Sequence, residues 1–284
     1  MTTVAEALRE AARRLEAVSD TARLDAELLM AAALRTSRSE VLLRHTSDPA
    51  PEGFAALVDR RLTHEPIAYI LGRQEFYGRE FLVTPDVLIP RADSEATLVA
   101  ALRARPGAQR ALDCGVGSGA LLLSYLAETP GTEGTGIDRS PEALAVAADN
   151  AERFGLAARC DLRIADWTED GWSEGLGRFD LILANPPYVE DDADLAPSVR
   201  DHEPAGALFA GPEGLDDYRL LVPCLPALLA PAVLGPVGDA QVAPRGEAEP
   251  LGIVRRHRQR LGRAVDPRPL GAGGFGQVRQ QQRA

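Results

Sequence analysis

The chain has 284 residues, 45% hydrophobic and 26% charged, a balance that fits a packed globular protein of about two domains and is too apolar for a disordered one. Its 42 acidic residues outweigh 31 basic ones, every one an arginine, for a net charge of −11, so no polyanion-binding surface is expected, since such a surface must replace the counterions on phosphates. Cys114, Cys160 and Cys224 form neither a disulfide framework nor a CxxC pair, Met1 to Glu10 holds no signal-peptide core, and the most apolar run, Leu220 to Leu234, is cut by Pro223, Pro226 and Pro231, which predicts a cytoplasmic protein without a membrane span.

The first 71 residues read as short amphipathic helices. Thr3 and Glu6 stand at capping-box spacing before a stripe of Val4, Leu8, Ala11, Leu15 and Val18. Thr21 to Arg35 continues with Leu24, Leu28 and Ala32, and Pro51 is expected to open a helix carrying Phe54, Leu57, Val58 and Leu62 on one face. Gln74 to Val83 then reads as a hairpin around Tyr77-Gly78, where glycine supplies the turn. From Arg110 strands and helices alternate. Ala111 to Gly115 is a first strand, Ser118 to Ala127 a helix and Gly134 to Asp138 a second strand. Ser140 caps a helix whose first residue is Pro141. Asp161 to Asp166 and Phe179 to Ala184 are third and fourth strands, and Leu215 to Ala230 is a helix bent at its prolines. Such alternation implies a parallel sheet with helices on both faces.

The chemistry gathers at the strand ends. Asp113-Cys-Gly115-Val116-Gly117-Ser118-Gly119 joins a strand to a helix, where glycines let the backbone turn sharply and approach a ligand closely. Asp138 lies 19 residues past Gly119, where a carboxylate meets a ribose diol. To this point a nicotinamide dehydrogenase and an S-adenosylmethionine methyltransferase fit equally. Asn185-Pro186-Pro187-Tyr188, after the fourth strand, favours the second. Two prolines stiffen the backbone and leave carbonyls as acceptors, the Asn side chain adds another, and Tyr188 offers a ring for stacking. That set suits a planar amide or aromatic amine whose hydrogens are gripped while its nitrogen faces an electrophile. Asp166-Trp167 stands where an acid and an indole can flank an adenine ring or serve as core. His45, His64, His202 and His257 are scattered, and no metal site is expected.

These residues resemble the peptide-chain-release-factor glutamine N5-methyltransferases, the HemK-type class I methyltransferases. The resemblance spans Thr3 to Ala230. Glu65-Pro-Ile-Ala-Tyr69-Ile-Leu-Gly72, Phe76-Tyr-Gly78, Leu88-Ile-Pro-Arg91, Glu203-Pro204, Ala207-Leu208 and Gly214-Leu215 join the glycine motif, Asp138, Asp166-Trp167 and the NPPY tetrad in carrying it. Ala92-Asp93-Ser94-Glu95 stands where the family usually shows Pro-Glu-Thr-Glu. The resemblance implies an α/β, Rossmann-like class I methyltransferase domain (106–231) preceded by a small all-α domain (1–72) and a β-hairpin and linker (73–105). It implies S-adenosylmethionine as cofactor, held by Gly115, Val116, Gly117, Ser118, Gly119, Asp138, Trp167 and Asn185. The substrate grip would be Asn185, Pro186, Pro187 and Tyr188, with Asn185, Pro186 and Tyr188 as the catalytic residues. The implied reaction methylates the glutamine of the Gly-Gly-Gln motif in release factors, a step in translation termination, by a monomer with no direct nucleic-acid contact. Residues 232–284, with nine arginines against four acidic residues and much Gly, Pro and Gln, show none of the strands the family would place there. An irregular tail is the expectation, and a changed reading frame near Ala230 to Pro231 is one origin for it. Two other readings stay open: a nucleic-acid amino-methyltransferase using the same tetrad, and a catalytically impaired remnant.

Overall fold

A computed structural model describes residues 2–231; the predicted tail, 232–284, lies outside them, as does His257. Five helices come first: α1 (Val4–Leu15), α2 (Ala22–Leu34), α3 (Arg38–Arg44), α4 (Phe54–Leu62) and α5 (Ile67–Leu71). Val4, Leu8, Ala11 and Leu15 are buried against Ala26, Leu29, Met30, Val41 and Val58, so the predicted stripe of α1 is the inner face of this bundle. Thr3 and Glu6 form the full capping box. A capping box at Ser37 and Glu40 starts α3, which the sequence reading did not resolve. Pro51 does not open α4: its carbonyl accepts from Phe54, so residues 51–53 form a turn and the helix begins after Gly53. Asp25 is buried in α2 and accepts from Ser19, Thr21 and the Arg61 Nε of α4, at 2.7, 2.9 and 2.8 Å, stapling the two helices together.

Strands β1 (Arg73–Phe76) and β2 (Arg79–Leu82) pair antiparallel with Phe76 opposite Arg79. Tyr77 and Gly78 both take positive φ, 50° and 74°, the left-handed pair that matches strand twist in a two-residue turn. Residues 83–91 form no strand or helix, turn where the Val87 N–H donates to the Thr84 carbonyl at 3.1 Å, and lead to α6 (Ser94–Ala104), a helix inside the segment predicted to be hairpin and linker.

The sheet follows: β3 (Arg110–Cys114), α7 (Ala120–Glu128), β4 (Glu133–Asp138), α8 (Pro141–Arg153), β5 (Cys160–Ile164) and β6 (Leu181–Ala184). All pairings are parallel, in the order β5-β4-β3-β6, with Cys114 opposite both Ile137 and Ala184. Ser140 caps α8 and Pro141 occupies its first turn, as predicted. Several boundaries move by one or two residues, two of them for clear local reasons. Gly119 takes φ +83°, outside helical space, so α7 starts at Ala120 rather than Ser118. β6 starts at Leu181 because Asp180 turns its carboxylate onto the N–H groups of Gln109 and Arg110, at 2.8 and 3.0 Å. The predicted long helix 215–230 is instead α10 (Asp216–Leu221), a 3₁₀ turn and α11 (Leu225–Leu228), after the short α9 (Pro197–Arg200). Pro223 and Pro226 each lack the N–H that would continue one ladder. Leu112, Cys114, Ile137, Phe179, Leu221 and Leu228 bury one face of the sheet, and Leu121–Leu123, Tyr125, Leu144 and Ala147 belong to the larger core on the helices. Among the described residues no helix is long and apolar enough to cross a membrane.

Candidate active site

A cavity of about 310 Å³ opens at the carboxyl edge of the sheet, where ligands bind in such folds. Its floor is the turn after β3. Gly115, Gly117 and Gly119 all take positive φ, 78°, 52° and 83°, values that side chains rarely tolerate. The N–H groups of Gly115 and Val116 both donate to the Ile137 carbonyl at 2.9 Å, so the turn is pinned to β4. Ser118 is buried, and its carbonyl accepts from Asn150 of α8, whose amide also exchanges two hydrogen bonds with Leu82 of β2. One buried side chain thus joins the hairpin to the glycine turn.

Asp138 ends β4. One oxygen accepts from Gly117 N–H at 2.9 Å and the other from Ser140 N–H at 3.0 Å. Each carboxylate oxygen keeps a second lone pair for a ligand. Trp167 packs its ring edge so near Gly115 that a Cβ there would meet it at 3.3 Å, and its indole N–H donates to Asp217 at 2.6 Å. Asp166, by contrast, caps its own turn by accepting from Thr168 and does not line the cavity.

The sequence reading quoted Asp113 in its motif but gave it no role. Its side chain is sealed at 1% exposure, lines the cavity, and leaves Oδ1 without a partner among the described residues. Burial above all, with Asp138 adding repulsion and the Leu122 N–H opposing, pushes its carboxyl up to about 7. An unpaired buried carboxylate beside a glycine turn is a place for a cationic N–H donor. Together, the unmatched acid, the cradle, the acceptor at Asp138 and the indole fit a ligand with an ammonium group, a ribose diol and a flat base.

Asn185 and Pro187 line the same cavity, while Pro186 is buried and does not. The tetrad loop is held from the far side of the chain: Tyr188 and Val189 donate to the Leu208 carbonyl at 3.2 and 2.9 Å, and Ala210 donates back to Val189. Gly214 packs so closely that a Cβ would fall 2.4 Å from the Tyr188 carbonyl oxygen. Tyr188 itself is 57% exposed and lines a neighbouring polar hollow with Arg91, Asp93, Ser94, Thr97 and Asn185. Asn185 and Arg91 belong to both spaces. Sequence reasoning also missed the wall formed by residues 85–91 and Arg139, because nothing local marks an irregular segment as a cavity wall. No group of three or more His, Cys, Asp and Glu suited to a metal ion occurs among the described residues.

Comparison with known proteins matches residues 6–72 to the PrmC N-terminal domain and residues 92–200 to the methyltransferase small domain. The release factor glutamine methyltransferase of Geobacter sulfurreducens is 45% identical over 219 residues, 75% of each chain. That of Cereibacter sphaeroides is 42% identical over 261 residues, 88% of this chain and 91% of its own. The protein of the same name from Moorella thermoacetica is 42% identical over 240 residues, 82% and 83% of the two chains.

Proposed function

The chain belongs to the release factor glutamine methyltransferase family, and on that premise we propose that it methylates the side-chain amide nitrogen, N5, of the glutamine in the Gly-Gly-Gln motif of peptide chain release factors. The observation that carries the reading is Asn185, shared by the cavity that fits a nucleoside cofactor and the polar hollow open to solvent. A substrate amide entering from outside meets the cofactor space there.

S-adenosylmethionine, when bound, supplies a methyl group on a positively charged sulfur. Gly115 to Gly119 would cradle it, Asp113 would face its ammonium group, Asp138 its ribose hydroxyls and Trp167 its base. The remaining work belongs to the tetrad. An amide nitrogen is a weak nucleophile because its lone pair is delocalised, so catalysis rests on position more than on proton removal. The Asn185 amide oxygen and the Pro186 carbonyl accept the two amide hydrogens, fix the plane of the group and stabilise positive charge as it grows on nitrogen. Pro187 stiffens the loop and Tyr188 packs on the substrate chain. One amide proton leaves to solvent after transfer, when the methylated nitrogen has become acidic.

We divide the work between a helical domain (1–72) that recognises the partner, a hairpin and linker (73–105) and the methyltransferase domain (106–231). The protein acts as a monomer in the cytoplasm, on release factor rather than nucleic acid. The test is transfer of isotope-labelled methyl from S-adenosylmethionine to purified release factor and, in parallel, to transfer RNA, ribosomal RNA and DNA. Label on the release factor alone supports the reading; label on nucleic acid alone overturns it.

A further inference from the structure

Contacts to four parts of the molecule converge on residues 202–208. His202 Nε2 lies 2.9 Å from the carbonyl of Thr63, just past α4. The Glu203 side chain, only 1% exposed, accepts from the Ile89 N–H at 3.2 Å and pairs with the Arg91 guanidinium at 2.5 Å. Arg139, next to Asp138, donates to the Gly206 carbonyl. Leu208 accepts from the NPPY loop. Pro204, Gly206 and Ala207 line the cavity, as do residues 85–91, yet Glu203 lines neither the cavity nor the hollow beside it.

A carboxylate this deeply buried is tolerated only when its charge is matched and its lone pairs are used. Here the match comes from the strap 85–91, which has no strand pairing or helix of its own. Arg91 is also the one residue of that strap that reaches both spaces. We propose that Glu203 is a positioning residue: through Ile89 and Arg91 it latches the strap to the 203–208 segment, fixing the outer wall of the cofactor cavity and keeping Arg91 at the rim where the substrate polypeptide enters. The proposal rests on the methyltransferase reading above for the identity of the two ligands, and on the geometry for the latch itself.

Glu203→Gln is the deciding variant, because its amide oxygen still accepts from Ile89 while the ion pair is lost. Measured against the full-length protein, its affinity for S-adenosylmethionine by calorimetry and its KM for that cofactor should weaken about tenfold, the Ile89 amide should exchange hydrogen about tenfold faster, and kcat should fall less than about threefold. Glu203→Asp should recover part of the affinity. Glu203→Ala should weaken binding further; should it fail to fold, Glu203→Gln carries the test alone. Unchanged binding and unchanged Ile89 exchange in a folded Glu203→Gln protein would overturn the latch, as would activity that falls only with the fraction folded while KM stays constant. If the wild-type protein methylates no release factor, the functional reading fails, whereas binding and exchange still decide the role of Glu203.

Discussion

In the proposed reaction Asp113 and Asn185 divide the chemistry of the site between them. Asp113 is a buried acid without a full set of partners, and its raised pKa penalises the folded, ligand-free protein. The sign is set by the direction of the shift. Below its ordinary 3.8 the carboxyl is protonated in both states and there is no penalty. As pH rises from there to about 7 the unfolded chain ionises while the folded one holds its proton, and stability falls by about 1.4 kcal/mol per pH unit. Above about 7 the loss is complete. Asp113→Asn removes that penalty, so the ligand-free variant should melt at a higher temperature than wild type at pH 8 and at a similar one at pH 4. Its cofactor affinity should fall at least about tenfold at pH 8, since the partner for a cationic ligand is gone. Wild-type affinity should tighten as pH rises through about 7, by calorimetry, and the variant's should not. Asn185→Ala should lower kcat about a hundredfold or more, as removal of one charge-stabilising group does elsewhere, and should weaken cofactor affinity far less than it lowers kcat. Asp113, Asp138 and the tetrad stand in motifs that the sequence displays, but the missing partner of Asp113 does not, because it depends on what β4 and α7 leave open around it.

Turns and staples decide the elements. At Gly119 a Cβ would fall 2.7 Å from Leu123 Cδ1 and would sit on a residue with φ +83°, so Gly119→Ala should destabilise the protein by about 1–3 kcal/mol in urea titration and weaken the cofactor site. In the helical domain Arg61 crosses from α4 to the buried Asp25 of α2. Arg61→Ala leaves that carboxylate with only two hydroxyl donors, and thermal unfolding should report a loss of about 3–5 kcal/mol. Helices with a strong apolar stripe and a cap, such as α1 and α8, were legible in the sequence because both signals are local. The helices α3 and α5 are short, with few turns in which a period can show, and α6 follows an irregular segment that hides its start. The stretch after Leu215 carries helical apolar spacing, yet Pro223 and Pro226 break it into pieces. There the missing donors outweigh the pattern.

Across the whole molecule, the strand–helix alternation from Arg110 was enough to anticipate the parallel sheet, and the glycine turn and tetrad both fall at its carboxyl edge, where the cavity opens. What tied these parts together was not visible in the same way. Glu203 and Arg91 are 112 residues apart in the chain, Asn150 joins β2 to the glycine turn across 68 and 32 residues, and His202 reaches back 139 residues to Thr63. Pairings at such distance leave no period or spacing to read. They are what turns a helical domain, a hairpin and a sheet into one site with the deeper cavity on one side of Asn185 and an open hollow on the other. The central claim, that this site methylates a glutamine amide, meets its most direct test in tandem mass spectrometry of release factor incubated with the protein and S-adenosylmethionine. The expected result is a gain of about 14 Da, one methyl in place of one hydrogen, on the glutamine of Gly-Gly-Gln, absent with Asn185→Ala. A release factor left unmodified by folded, cofactor-binding protein, or a methyl group on any other residue, would contradict it.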